Sequence, residues 1–138
     1  MGLIYAQLKL INTFDLGMLN RKLIKPHQLK SIEITALMGS GVSMLYINED
    51  IQKVLQLDEI GFRKEELENG DVIERLVVGH VEVFFQNRST SCRAIVLPGN
   101  SKPLLGAIQM EDLDIDLVLK GQEIVLNPER PLMDKKRF

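Results

Sequence analysis

The sequence is poor in residues on which several chemistries depend. It has one cysteine, Cys92, among 138 residues. No internal disulfide is possible, which fits a reducing compartment. It has two histidines, His27 and His80, so the His and Cys ligands of a transition-metal site are lacking. No apolar run approaches the roughly 18 residues of a membrane span, and no basic-then-apolar leader opens the chain. Met1-Gly2 begins like a myristoylation signal, but Ala6 stands where that motif needs Ser or Thr. There is no excess of positive charge. The formal net charge is -2, and Lys and Arg are scattered except for Lys135-Lys136-Arg137. That run reads as a solvated tail. Nothing electrostatic argues for nucleic acid. The expectation is a soluble, cytoplasmic protein with no membrane or nucleic-acid partner.

What is present suits a folded domain. Apolar residues make up 45% and charged residues 26%, ordinary for a soluble globular chain. The length is that of one domain over residues 1–138, large enough for a core without staples.

The pattern is mostly β. Ile4, Ala6, Leu8 and Leu10 alternate with Tyr5, Gln7 and Lys9, which predicts a strand with one buried face. Asn12 to Gly17 holds the turn formers Asn12, Asp15 and Gly17 and reads as a turn. Pro26 and His27 punctuate a connection, and Gln28 to Met38 reads as extended. Val42 to Ile47 is a second apolar strand. Asn48 is a good N-cap, followed by Glu49 and Asp50, and Ile51, Val54 and Leu55 recur at helical spacing. A short helix is predicted over about Glu49 to Leu55.

Arg63 to Glu68 and Asp71 to Val78 read as a polar, exposed hairpin turning at Asn69-Gly70, a type I′ signal. Val81 to Phe85 and Cys92 to Val96 form another hairpin around Gln86 to Ser89. Cys92 alternates with Ala94 and Val96, so it reads as a buried, inert thiol. A short helix is expected over Ala107 to Leu113. A last hairpin carries Ile115, Leu117 and Leu119, the turn Lys120-Gly121, then Ile124 and Leu126.

Two short segments echo each other. Ala36-Leu37-Met38-Gly39-Ser40-Gly41 and Pro103-Leu104-Leu105-Gly106 each run an apolar strand into a Gly turn, with a helix to follow. In order along the chain come the Ser-Gly turn, strand, helix, polar hairpin, hairpin, second apolar-Gly turn and helix. On these residues the chain resembles the retropepsin-like aspartic proteases, in particular the small prokaryotic members of clan AA. The resemblance covers nearly the whole chain. It implies a closed β-barrel with one or two short helices, assembled as a homodimer. The tail 128–138 is expected to be either flexible or, as the resemblance implies, part of the dimer interface. Ser40 would hydrogen-bond across the twofold axis, and Gly41 would allow close backbone approach. Asn69, Gly70 and Asp71 would form the tip of a flap over an extended peptide or protein substrate. Leu104, Leu105 and Gly106 would form the second loop. No cofactor and no metal are implied.

Position 39 departs from the family. The residue before Ser/Thr-Gly is the catalytic Asp there, and here it is Gly39. That chemistry needs two carboxylates sharing one proton, one to activate water and one to donate to the substrate carbonyl. Glycine offers neither. The resemblance therefore implies an aspartic endopeptidase scaffold that is inactive as written. Two explanations stay open: a protease whose Asp has been replaced, which Gly39→Asp alone should restore, or a non-enzymatic dimeric peptide-binding module.

Other readings are weaker. Gly39-Ser40-Gly41 lacks the spacing and the Lys of a phosphate loop. Ser40 and Ser43 lack the setting of a serine nucleophile, and His27 and His80 read as surface or turn residues. Asp112, Asp114 and Asp116 lack the Gly of a calcium loop, and Asp114 and Asp116 fit the wet face of a half-exposed strand.

Overall fold

A computed structural model of the chain describes residues 3–39, 41–118 and 121–127. Among the described residues nine strands form a seven-stranded mixed sheet and a separate hairpin, with three short helices. The mostly β expectation holds, with one helix more than the sequence indicated.

Strand β1 (Ile4–Asn12) follows the alternation that predicted it: Ile4, Ala6, Leu8 and Leu10 are buried, while Tyr5, Gln7 and Lys9 are exposed. The segment read as a turn is instead helix α1 (Thr13–Asn20). The turn formers act as a cap. The Asn12 side chain accepts from the Asp15 amide at 3.2 Å, while its Nδ2 donates to Leu55 O at 2.9 Å. Buried Asp15 pairs with Lys30 Nζ at 2.9 Å and accepts from the Lys30 amide at 3.1 Å. Lys30 and Leu55 are remote in sequence, so the local cap of Asn12 on the Asp15 amide is completed by partners that no local pattern reveals.

After a single 3-10 turn, Pro26–Gln28, β2 (Ser31–Met38) pairs antiparallel with β1. Strand β3 (Leu45–Asn48) is shorter than the predicted Val42 to Ile47. The Val42 and Ser43 carbonyls are taken by amides of the last helix and cannot join a ladder. Helix α2 (Glu49–Leu55) has the predicted bounds, and the Asn48 side chain accepts from the Ile51 amide at 2.8 Å. Such a cap contributes about 1 kcal/mol.

Strand β4 (Asp58–Glu66) begins earlier than expected and pairs antiparallel with β5 (Val72–Phe85). The turn between them is not type I′. Gly70 has φ +89, but Asn69 is not left-handed. The Gly70 amide donates to Leu67 O at 2.9 Å and the Leu67 amide to Asp71 O at 2.7 Å. That is a type I turn closed by a left-handed glycine, the usual three-residue hairpin. Strand β5 runs on through Gly79 and His80 with a register shift between Val78 and Val81. The two hairpins expected to be separate therefore share one long strand. Strand β6 (Arg88–Leu97) pairs with β5 and, in parallel, with β3.

Strand β7 (Leu104–Leu105) leads into α3 (Ala107–Leu113), which has the predicted bounds. Strands β8 (Ile115–Val118) and β9 (Glu123–Leu126) form the last hairpin. Leu119, expected on the strand, Lys120, expected in the turn, and the tail from Pro128 lie outside the described residues.

The sheet order is β1-β2-β7-β3-β6-β5-β4, and β5 also pairs with β1. The core gathers Leu8, Leu10, Leu45, Ile47, Leu55, Val81, Val83 and Leu105, each at most 2% exposed. No helix among the described residues is long and apolar enough to cross a membrane.

Candidate functional site

The two apolar-Gly segments meet side by side. Strand β7 runs parallel to β2, with Leu104 opposite Leu37 and Leu105 opposite Met38. The Leu37 amide donates to Pro103 O at 2.9 Å. Gly39 and Gly106 are each the next residue of these paired strands. Gly106 is buried because backbone passes directly over it: a β-carbon there would overlap Ser43 C and Met44 N and O. The contact lets the first turn of α3 dock on the loop. The Ala107 amide donates to Val42 O at 2.9 Å and the Ile108 amide to Ser43 O at 3.1 Å. Orphan amides of a helix N-terminus are thereby satisfied by main chain.

Gly39 is in the left-handed region at φ +66, and an ideal β-carbon there would lie 2.6 Å from Leu117 Cδ1. The β8–β9 hairpin thus rests on the loop. It is held from behind by Arg88, whose Nη1 donates to Leu113 O at 2.9 Å and Asp114 O at 2.8 Å, and whose Nη2 donates to Asn127 O. Gln122 Nε2 also donates to Leu3 O at 3.2 Å. Ser40 lies outside the described residues, and Gly41 is exposed at φ +86.

The tip of the β4–β5 hairpin is preorganised. Asn69 Oδ1 accepts from the Asp71 amide at 2.9 Å, and Asn69 Nδ2 donates to Asp71 Oδ2 at 3.1 Å. The shaft is fastened to β3 by contacts that sequence reasoning missed. Tyr46 Oη donates to Glu65 Oε1 at 3.1 Å, and Arg75 Nε donates to Glu65 Oε2 at 3.2 Å. Arg63 reaches Met44 Sδ. Burial first, then the hydrogen bond to Glu65, pushes the Tyr46 phenol above its ordinary value. Beside the base of the hairpin lies a cavity of about 230 Å³, lined by Ile60, Phe62, Arg63 and Val77 of the hairpin, Met44 just before β3, and Arg93 of β6. Residues 46 and 65 belong to different strands, and no motif links them.

The groups dismissed on sequence grounds stay apart from this loop's chemistry. His27 and His80 are exposed. Asp114 takes a left-handed conformation at the end of α3, where its Oδ1 accepts from Asn127 Nδ2 at 3.0 Å. It is therefore not on the strand with Asp116. No group of three or more His, Cys, Asp or Glu among the described residues could hold a metal ion.

Cys92 is half-buried rather than buried as its alternation suggested, and its thiol is a weak acid. Burial, with smaller effects from Glu82 and Asp112, pushes its thiol up from 9.0 to about 12. A raised thiol pKa favours folding below the unfolded value, and that contribution is lost as pH climbs from about 9 towards about 12. At pH ~8 a thiol reagent should label the native protein at least ~100-fold more slowly than the denatured chain. Comparable rates in the two states would mean that the thiol is accessible.

No family model matches the chain, and no curated protein matches it significantly. Among solved structures, it is similar to a Legionella pneumophila protein of unknown function (DUF785). The TM-score is 0.41 at 12% identity, over 81% of this chain and 89% of that one.

Proposed function

We propose that the chain is a retropepsin-like scaffold that clasps an extended peptide beneath the β4–β5 hairpin and does not hydrolyse it. The observation that carries this reading is the backbone at position 39. Gly39 has a left-handed φ, no side chain, and Leu117 packed where a β-carbon would project. An Asp there would take a left-handed conformation that disfavours most L-residues by about 1–2 kcal/mol and that Asn and Asp adopt only occasionally, and its β-carbon would have to shift the Leu117 Cδ1 methyl. The loop suits glycine better than a catalytic acid.

Several features support the scaffold. The paired β2 and β7 segments place the two Gly turns together. The β1–β5 ladder lets the sheet return on itself, as a closed barrel requires. The hairpin has a shaped tip and a fastened shaft. A peptide would add main-chain hydrogen bonds in extended form, with alternate side chains entering pockets. Association as a homodimer about the loop, and a cytoplasmic location, are proposed with this reading. Apposing two such loops would require Leu117 to move aside.

The test is a peptide-library assay from pH ~4 to ~7, on this chain and on Gly39→Asp, read for both cleavage and binding. The expected result is saturable binding of extended peptides and no cleavage by either protein. Cleavage by Gly39→Asp alone would identify an aspartic endopeptidase lacking its acid. Cleavage by the unmodified chain, or no binding by either, would overturn the proposal.

A further inference from the structure

Strand β4 ends the seven-stranded sheet, and among the described residues nothing pairs with its outer side. A free edge offers a row of unpaired N–H and C=O groups. We propose that this edge is a docking surface for a second copy of the chain, pairing antiparallel about Phe62.

The argument is charge complementarity set by register. In the ladder with β5, Glu59 lies opposite Val78, Phe62 opposite Leu76 and Lys64 opposite Glu74. Val78, Leu76 and Glu74 alternate along β5 and so share one face. Glu59, Phe62 and Lys64 therefore share that face. Glu59 and Phe62 can do so, although three residues apart, because the register shifts between Glu59 and Gly61. Phe62 lies midway between the other two in ladder steps. Two β4 edges joined antiparallel about Phe62 set the two rings against each other, and each Glu59 against Lys64 of the partner subunit.

Neighbouring registers are poorer. A dyad at Gly61 sets Glu59 against a phenyl ring. A dyad at Arg63 sets Arg63 against its own copy and Glu59 against Glu66. In the favoured register the opposite face brings Asp58 near Glu65, but Arg75 already neutralises Glu65. Phe62 is 67% exposed, an aromatic ring left in water on a sheet edge. Glu59 and Lys64 are exposed, and no ion pair among the described residues uses either. The contact is one strand wide, so the association is reversible rather than obligate.

Sedimentation velocity from about 5 to about 200 µM tests this, on the unmodified chain, Glu59→Lys, Lys64→Glu and the double variant Glu59→Lys/Lys64→Glu. All three variants change only surface residues. The expected result is dimerisation of the unmodified chain in this range, at least ~10-fold weaker association of each single variant, and recovery in the double variant. A monomer throughout would overturn the proposal. So would a dimer indifferent to the single changes, which would join through another face, or a double variant no better than the singles. Peptide binding is not read: a dimer indifferent to the single changes would leave the loop-centred dimer of the proposed function standing, whereas a monomer throughout would exclude both associations.

Discussion

Gly106→Ala should abolish the native fold at 25 °C or leave it destabilised by more than about 3 kcal/mol. The added methyl would overlap Ser43 C and Met44 N and O. These are main-chain atoms, so no rotamer change relieves the clash, and overpacking a rigid site costs in the upper part of the usual range. The same loop is stitched to α3 through the Ala107 and Ile108 amides. Moving it away would forfeit those bonds as well. Gly41→Ala is the control. A β-carbon there meets nothing within 4 Å, so only its φ of +86 opposes the change, at about 1–2 kcal/mol. Urea unfolding of the two variants should separate them clearly. A Gly106→Ala protein as stable as Gly41→Ala would mean that α3 does not dock on the 42–44 backbone.

Arg88→Met should release the β8–β9 hairpin while leaving the main sheet folded. One guanidinium serves the Leu113, Asp114 and Asn127 carbonyls. Methionine keeps the apolar stem and removes every donor. Carbonyls left without partners, less what water recovers, put the local cost at about 2–4 kcal/mol. Hydrogen exchange should show at least ~30-fold lower protection for amides of Ile115–Val118 and Glu123–Leu126, with the β1–β2 ladder unchanged. Uniform loss across both regions would make Arg88 a global core residue, and no loss would make it dispensable. Because Leu117 rides on this hairpin, the same variant should uncover Gly39. Peptide affinity should rise if the hairpin competes for the cleft.

Periodicity and capping chemistry, both local, set much of the architecture in the sequence. The alternation from Ile4 to Leu10 defined β1 and its buried face. Asn48 with Glu49, Asp50 and the Ile51/Val54/Leu55 spacing determined α2 to both of its ends. Gly106 and the apolar spacing after it did the same for α3. The two apolar-Gly segments were visible as echoes because each is a short contiguous string. Asn69-Gly70 marked a hairpin, since a reversal needs a residue that accepts positive φ.

The tertiary structure decided the rest, for reasons outside any window of sequence. Helix α1 exists because Asp15 finds Lys30 and Asn12 finds the end of α2. Strand β3 loses its first residues because α3 takes the Val42 and Ser43 carbonyls. Strand β5 passes Gly79 because Asp58 of β4 pairs with it there and β6, which pairs up to Val78, pairs again from Val81. Tyr46 and Glu65 form the root of the hairpin only once β3 and β4 are brought together. The sequence by itself determined that position 39 carries no acid. That its backbone is left-handed and lies under Leu117 depends on a hairpin almost 80 residues away, placed by hydrogen bonds that only the folded chain can make.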